Sequence, residues 1–108
     1  MISIDEFKKI EVKIGKVLSA EKVPETDKLI KLSVDVGEAS PRQILSGIAE
    51  YTEPEALVGR KFPFVTNLEP RTIRGLESNG MILVVSSEAG DFSFLEPTSD
   101  IAPGSGIR

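Results

Sequence analysis

Strict alternation of apolar and polar side chains from Ile30 to Val36 constrains the fold more than any other part of the sequence. Successive side chains of a β-strand point to opposite faces, so this pattern predicts a strand with one buried and one exposed face. The side chains predicted to share the first face are Ile30, Leu32, Val34 and Val36, and those predicted to share the second are Lys31, Ser33 and Asp35.

Four other segments have strand patterns, and turn residues separate them. From Glu11 the apolar residues again alternate, and Gly15 interrupts them, which predicts a strand that bends or bulges at the glycine. Pro63 lies inside the fourth predicted strand and indicates an edge position or a bulge. In chain order the predicted strands are Glu11 to Leu18, Leu29 to Val36, Arg42 to Ile48, Lys61 to Thr66 and Met81 to Ser86.

Two short helices are predicted from capping boxes. Ser3 and Glu6 form one such pattern before a helix over Ile4 to Ile10, and Thr52 and Glu55 form another before a helix over Pro54 to Val58. Five strands with a short helix between the third and fourth is the order of the OB-fold, an all-β, five-stranded Greek-key barrel. A barrel or sandwich of another topology fits the periodicities nearly as well.

The connection from Asn67 to Met81 is the candidate functional segment. Its proline, glycines and short polar residues predict turns throughout, yet it also carries Arg71 and Arg74. A connection of this length in a small domain is more often functional than idle. Further on, Phe92, Phe94 and Leu95 are candidates for a short extra pairing, and the tail from Pro97 is predicted to be irregular.

The chain has 108 residues, which predicts a single domain over 1–108 with one core. It contains neither cysteine nor histidine, so thiol nucleophiles, imidazole acid–base chemistry and ordinary zinc sites are excluded. An enzyme would therefore depend on carboxylates, lysines and backbone groups alone, and we expect no cofactor or metal. No apolar run approaches the roughly 20 residues of a membrane-spanning helix, and the N-terminus lacks the order of a signal peptide, so a cytoplasmic protein without membrane contact is expected.

The net charge of −4 argues against nucleic acid, but its distribution matters more. Residues 59–80 carry four basic and two acidic side chains, whereas residues 35–58 carry one and five. Residues 81–108 carry one basic and four acidic side chains. A local patch can therefore be positive on an acidic molecule, although a solvated pattern without function fits these counts equally well.

Six separated motifs, in this order, resemble the tRNA-binding domain family: Pro24 to Leu29, Val34 to Gly37, Arg42 to Ile48, Leu57 to Lys61, Asn67 to Pro70 and Gly75 to Met81. This is the OB-fold module appended to bacterial methionyl-tRNA synthetases, related to EMAP II and to free-standing dimeric tRNA-binding proteins. The resemblance covers about Phe7 to Pro103. Glu69, where the family usually has lysine, and Glu25-Thr26 before Asp27 depart from the pattern.

The resemblance implies structure-specific binding of tRNA at its outer, elbow region without catalysis. The partners it implies are tRNA, a second copy of the chain, and the catalytic part of methionyl-tRNA synthetase. The homodimer interface would lie at Ile2 to Ile10 and in the tail after Phe92. The residues assigned to tRNA binding are Lys28, Lys31, Arg42, Asn67, Arg71, Arg74, Ser78 and Met81.

Each of these residues also has a plainer interpretation. Met81 taken alone is a core residue, Asn67 and Ser78 alone are turn caps, and Arg71 and Arg74 alone are solvated arginines. A second function is also open, a dimeric, secretion-chaperone-like module that binds unfolded peptides in an apolar groove. Carboxylate-based chemistry on glycans or phosphates is the remaining, enzymatic alternative.

Overall fold

Ten strands and two short helices make up the computed structural model, which describes residues Met1–Arg108. One helix is an α-helix, α1 (Ile4–Phe7), and the other is a 3-10 helix, Pro54–Leu57. The strands are β1 (Val12–Lys22), β2 (Ile30–Asp35), β3 (Arg42–Ser46), β4 (Lys61–Val65), β5 (Arg71–Ile73), β6 (Leu76–Ser78), β7 (Met81–Ile82), β8 (Val84–Ser86), β9 (Phe92–Phe94) and β10 (Gly106–Ile107).

The main sheet has the order β3-β2-β1-β4-β7, with β10 added to β1. It curls so that β3 meets the chain between β6 and β7. There the Asn79 N–H donates to the Gln43 carbonyl at 2.8 Å, and the Leu45 N–H donates to Ser78 Oγ at 3.0 Å. These two bonds nearly close the barrel, and the predicted all-β OB-fold is confirmed.

The core lies inside this barrel and follows the alternation of the sequence. Ile30, Leu32 and Val34 of β2 are fully buried, as predicted. Phe62 and Phe64 from β4 share the same core and are also fully buried. The predicted strand periodicity thus gives the correct inner face for β2, whereas β4 is buried on both faces.

β1 is the longest strand and pairs with β2 and β4 along different parts of its length. The irregularity in its pairing falls between Val17 and Ser19, so the predicted bulge at Gly15 is wrong. Gly15 pairs regularly with Phe62, and its backbone lies against the side chains of Val34 and Phe64. The glycine is needed for this close approach.

Pro63 lies in an inner strand, so the edge position predicted for it is wrong. β4 pairs with β1 on one side and with β7 on the other. Opposite Pro63, Ile14 directs its N–H to the Ser105 carbonyl and its carbonyl to the Gly104 N–H. The Pro63 carbonyl accepts from the Leu83 N–H, just beyond the end of β7. β7 ends at Ile82, so Pro63 lies where the β4–β7 pairing stops.

The candidate connection contains a hairpin, which the sequence analysis missed. β5 and β6 pair antiparallel, with Arg71 opposite Ser78 and Ile73 opposite Leu76. The fifth predicted strand is divided into β7, which belongs to the barrel, and β8, which leaves it. β8 pairs with β9, so the short extra pairing predicted near Phe92 is confirmed.

The ends of the chain also differ from expectation. The capping box at Ser3 is confirmed, but α1 stops at Phe7 instead of Ile10. The capping box predicted at Thr52 is wrong, because Glu53 takes the N-cap position without a side-chain bond. The C-terminal tail is ordered by β10, which pairs with β1 at Val12 and Lys13. No helix has both the length and the apolar character required to cross a membrane.

Candidate nucleic-acid interface

The outward side chains and backbone of the β3 segment line three concavities in succession. Gln43 lines the first, Leu45 the second and Gly47 the third. Because outward positions of an extended chain recur every two residues, the three concavities follow one another along the barrel. They form the candidate site, and we call this surface the β3 face.

The third concavity, of about 430 Å³, brings Lys28 and Arg74 together. Lys28 comes from the loop between β1 and β2, and Arg74 from the turn between β5 and β6. Thr26, Asp27, Leu29 and Gly47 complete its lining. Two cations from distant parts of the sequence thus face one open cleft.

The second concavity is small, about 70 Å³, and is lined by Arg71, Ser78 and Met81. The Met81 side chain is 45% exposed, so this residue lies at the surface although it begins a strand. Glu69 lines the same concavity and places a negative charge beside Arg71. The first concavity, of about 150 Å³, holds Lys31.

The two arginines of the β5–β6 hairpin have no partner within the chain. The side chains of Arg71 and Arg74 are exposed and make neither an ion pair nor a hydrogen bond. Arg74 also adopts a positive φ of 54°, followed by Gly75 at 79°. Asparagine or glycine is favoured at such a hairpin position, so an arginine there is held at some cost in stability.

The two lysines of the β3 face are paired with carboxylates. Lys31 Nζ lies 2.7 Å from Glu21 Oε1, and Lys28 Nζ lies 3.5 Å from Glu50 Oε1. The Lys28–Glu50 pair is largely exposed and the Lys31–Glu21 pair is partly exposed, and exposed pairs contribute little to stability. A phosphate could therefore replace either carboxylate at small cost.

Arg42 lines none of the three concavities, and it holds the barrel closed. Its guanidinium makes two bonds to the Glu38 carboxylate, at 2.8 and 2.7 Å, and donates to the carbonyls of Thr66 and Asn79. The hydrogen bond from Arg42 lowers the pKa of Glu38, and the same bond raises the pKa of Arg42. The prediction that Arg42 binds tRNA stays untested, but its donors already have acceptors.

Asn67 also has an internal role. Its Oδ1 accepts from the Glu11 N–H at 2.7 Å, and its Nδ2 donates to the Lys9 carbonyl at 2.7 Å. Next to it, the Thr66 hydroxyl donates to the Glu11 carboxylate at 2.6 Å, which lowers the pKa of Glu11. Asn67 thus joins the N-terminal segment to the end of β4, and its part in tRNA binding stays a prediction.

The closure of the barrel is expected to weaken in acid. The pKa values of Glu11 and Glu38 in the folded protein lie below their ordinary value of 4.5. Their contribution to the free energy of unfolding is therefore fully present above pH 4.5 and is lost as the pH falls through the folded-state pKa values. We expect the melting temperature to fall between pH 5 and pH 3, and to fall less steeply in Glu38→Gln. Melting curves followed by circular dichroism measure this. An equal slope in both proteins would show that Glu38 does not contribute.

Ser78 is buried, at 5% exposure, and supplies the acceptor for the Leu45 N–H. Ser78→Ala leaves this buried N–H without a partner, which is expected to lower the free energy of unfolding by about 1 to 3 kcal/mol. Urea unfolding measures the loss. Glu77→Ala is the control, because Glu77 is exposed and Gln43 bonds to its backbone carbonyl, which the substitution keeps. This variant should have a small effect. If Ser78→Ala lowered the free energy of unfolding no more than Glu77→Ala, the bond from the Leu45 N–H to Ser78 would be contradicted.

The sequence analysis missed the polar residues beside Lys31. Ser19 is directly opposite Ser33, and Ser33 is directly opposite Gln43, so the three form one row across β1, β2 and β3. The two serine hydroxyls make no hydrogen bond within the chain, whereas the Gln43 amide donates to the Glu77 carbonyl at 2.9 Å. Alternation placed Ser33 on the outer face, but pairing between strands was needed to align it with the others.

The barrel and its β3 face define an OB-fold module with unpaired cations on a projecting hairpin. Residues 12–106 match the family described as "Putative tRNA binding domain", and the chain belongs to this family. It is 53% identical over 107 residues to a methionine–tRNA ligase from Myxococcus xanthus, covering 99% of this chain and 15% of the ligase. It is 50% identical to that of Methanoregula boonei over 108 residues, covering 100% of this chain and 16% of the ligase.

Solved structures resemble the whole chain. A MetRS-related protein from Pyrococcus horikoshii superposes with a TM-score of 0.94 at 40% identity, covering 100% of this chain and 98% of that one. The chaperone CsaA from Bacillus anthracis superposes with a TM-score of 0.88 at 30% identity, covering 100% and 99%. The chain therefore spans about one-sixth of the ligases it resembles and the full length of these smaller proteins.

Proposed function

We propose that the chain binds tRNA through the β3 face, as a non-catalytic module. The observation that carries the proposal is the pair of unpartnered arginines, Arg71 and Arg74, on one hairpin in a member of this family. Both lie beside concavities that also present Lys28 and Met81. The outer, elbow region of tRNA is the part we expect this face to contact.

The β3 face suits a folded RNA better than a base sequence. Cations neutralise phosphates and release counterions, which gives affinity without sequence preference. RNA helices are recognised mainly by shape and backbone, so a fixed spacing of cations can select one folded form. Here β2 positions Lys31, the loop between β1 and β2 carries Lys28, and the β5–β6 hairpin carries the two arginines.

Titration of a tRNA transcript into the protein at several salt concentrations tests the proposal. With four cations in contact, the logarithm of the affinity should fall against the logarithm of salt with a slope of roughly 3. A single-stranded RNA of the same length and base composition is the control and should bind more weakly. Equal affinity for both RNAs would contradict structure-specific binding, and no binding of either would contradict the function.

We also propose that the module works as a homodimer. The apolar side chains at the two chain ends are exposed: Ile2 at 64%, Ile4 at 65% and Ile107 at 44%. Two neighbouring concavities, of about 450 and 370 Å³, share Gly106 and Ile107 in their linings. Burial of such a surface between two copies would remove a continuous apolar area from water.

Sedimentation analysis of wild type and Ile107→Asp tests the dimer. The wild type should sediment as a dimer, and the variant should shift toward the monomer. Val85→Asp, which adds the same charge at an equally exposed apolar position outside these two concavities, is the matched control. A monomeric wild type would contradict the proposal.

The third part of the proposal concerns the longer protein. Because the chain spans about 15% of the ligases it resembles, we propose that it acts as the appended domain or small subunit of a methionine–tRNA ligase, or as a free-standing tRNA-binding protein. The catalytic part of that enzyme would then be its partner. The mass of the native polypeptide, measured in its source, separates the appended form from the other two.

Peptide binding is the second candidate function, and the likeness to the chaperone CsaA supports it. A peptide would bind in the apolar concavity of about 450 Å³ next to Ile107, where it would compete with the second copy of the proposed dimer. A competition experiment separates the two functions. An unfolded peptide that binds at this concavity should not displace tRNA from the β3 face. Displacement of tRNA by the peptide would show that both ligands use one surface.

A further inference from the structure

A pair of stacked aromatic rings lies outside the β3 face and the two end concavities. The Tyr51 and Phe92 rings are 4.1 Å apart between centroids and nearly parallel, with an angle of 3°. Tyr51 is 50% exposed, as expected when one ring face packs on Phe92 and the other is open. We call this pair the Tyr51 platform.

The same aromatic cluster already holds an arginine at its other end. Phe92 contacts Phe94 edge to face, and Phe94 contacts Phe62, each at 5.0 Å between centroids. The Arg60 guanidinium carbon lies 5.1 Å from the Phe62 centroid and 5.3 Å from that of Phe94. Aromatic faces attract cations in this geometry.

A carboxylate completes that internal arginine site. Arg60 makes two hydrogen bonds to Glu96, at 3.1 and 2.8 Å, so aromatic faces and a carboxylate bind one guanidinium together. The planar guanidinium suits both contacts at once, which an ammonium group cannot match. The Tyr51 end offers the same kinds of group, but no cation of the chain stacks on it.

Acidic residues are sequence neighbours of the two rings in the Tyr51 platform. Glu50 precedes Tyr51, Asp91 precedes Phe92, and Glu88 lies in the turn between β8 and β9. Glu88 and Asp91 have no cationic partner, and Glu50 is held only by Lys28 at 3.5 Å. This charge repels the phosphates of RNA and attracts a cation.

We propose that the Tyr51 platform is a docking site for an arginine-bearing segment of a partner protein. The guanidinium stacks on the open face of Tyr51, and its N–H groups donate to the carboxylates beside it. The Tyr51 and Phe92 rings line none of the three concavities of the β3 face, so the module can hold RNA and a protein partner at the same time, with Glu50, the partner of Lys28, at the border between the two sites. Loss of the platform leaves tRNA binding unchanged.

The composition of the chain makes the test direct, because Tyr51 is its one tyrosine and tryptophan is absent. Ring-labelled tyrosine therefore gives NMR signals from Tyr51 alone. The probes are acetyl-Gly-Arg-Gly-Arg-Gly-amide, the same peptide with lysine in place of arginine, and a short oligoadenylate. The arginine peptide should shift the Tyr51 ring signals saturably and bind more tightly than the lysine peptide.

Variants assign the contact. Peptide binding to the variants is followed through the NMR signal of the Phe92 backbone amide. Tyr51→Leu should lower the affinity for the arginine peptide about 2- to 5-fold. Asp91→Asn should also lower the affinity for the arginine peptide. Tyr51→Phe, which keeps the aromatic face, should leave this affinity unchanged. Equal effects of the two peptides, or no shift with either, would overturn the proposal. Saturation by oligoadenylate instead would identify a base-stacking site.

Discussion

Replacing Gly15 by alanine is expected to lower the free energy of unfolding by about 2 to 3 kcal/mol. A Cβ atom at this position would lie 2.6 Å from Val34 Cγ1 and 2.7 Å from Phe64 Cδ1. Both neighbours are fully buried core side chains, so neither can move into solvent. The barrel must therefore expand or the two side chains must leave their rotamers, and either response costs stability.

Urea unfolding at equilibrium measures this loss. The midpoint should fall while the slope stays constant, because the alanine changes the stability of the barrel and leaves the surface exposed on unfolding the same. Gly47→Ala is the matched control, since a Cβ there meets nothing within 4 Å. A loss at Gly15 no larger than that at Gly47 would contradict the packing described for β1.

Gly15 also shows why the sequence predicted some features and missed others. A bulge and a close approach both favour glycine inside a strand, so the residue alone cannot distinguish them. The alternating pattern of β2 has a single interpretation, because the apolar residues share the face that is buried and therefore point inward. The inner face was therefore predictable from one segment, whereas the role of Gly15 depended on Val34 and Phe64 from two others.

The candidate site was predictable in composition and less so in shape. The sequence singled out the segment with Arg71 and Arg74 but predicted only turns there. A hairpin is usually recognised by Asn-Gly or Asp-Gly between its strands, and here Arg74-Gly75 takes that place. Because arginine stands where asparagine or aspartate is usual, the turn is hard to recognise from sequence. The same arginine places a cation at the tip of the hairpin.

The internal bonds of Arg42, Asn67 and Ser78 were beyond the reach of pattern analysis. The bonds by which these residues close the barrel or tie down its ends join segments more than 20 residues apart in sequence, such as Arg42 with Thr66 and Ser78 with Leu45. All three residues fit the family pattern, and the structure gives each a role in closing the barrel or tying down its ends. Variants at these positions must therefore be tested for folding before a change in binding is assigned to lost contacts.

The β5–β6 hairpin allows a test of tRNA binding that avoids this difficulty. In the double variant Arg71→Gln and Arg74→Asn both cations are removed while the hairpin is kept. Asparagine tolerates the positive φ at position 74 better than arginine, so the variant should be at least as stable as the wild type. Exposed charge pairs contribute up to about 1 kcal/mol each, so affinity for tRNA should fall about tenfold.

The salt dependence separates lost phosphate contacts from other causes. The slope of log affinity against log salt should decrease by roughly 0.7 to 0.9 for each contact removed. Lys16→Ala, which removes a half-buried cation of β1 that makes no ion pair and lines none of the concavities described above, is the control for net charge and should change the slope little. Unchanged slope and affinity in the double variant, with its stability retained, would show that the hairpin does not contact the RNA backbone. Arg74 would then carry an unfavourable backbone conformation that tRNA binding does not explain.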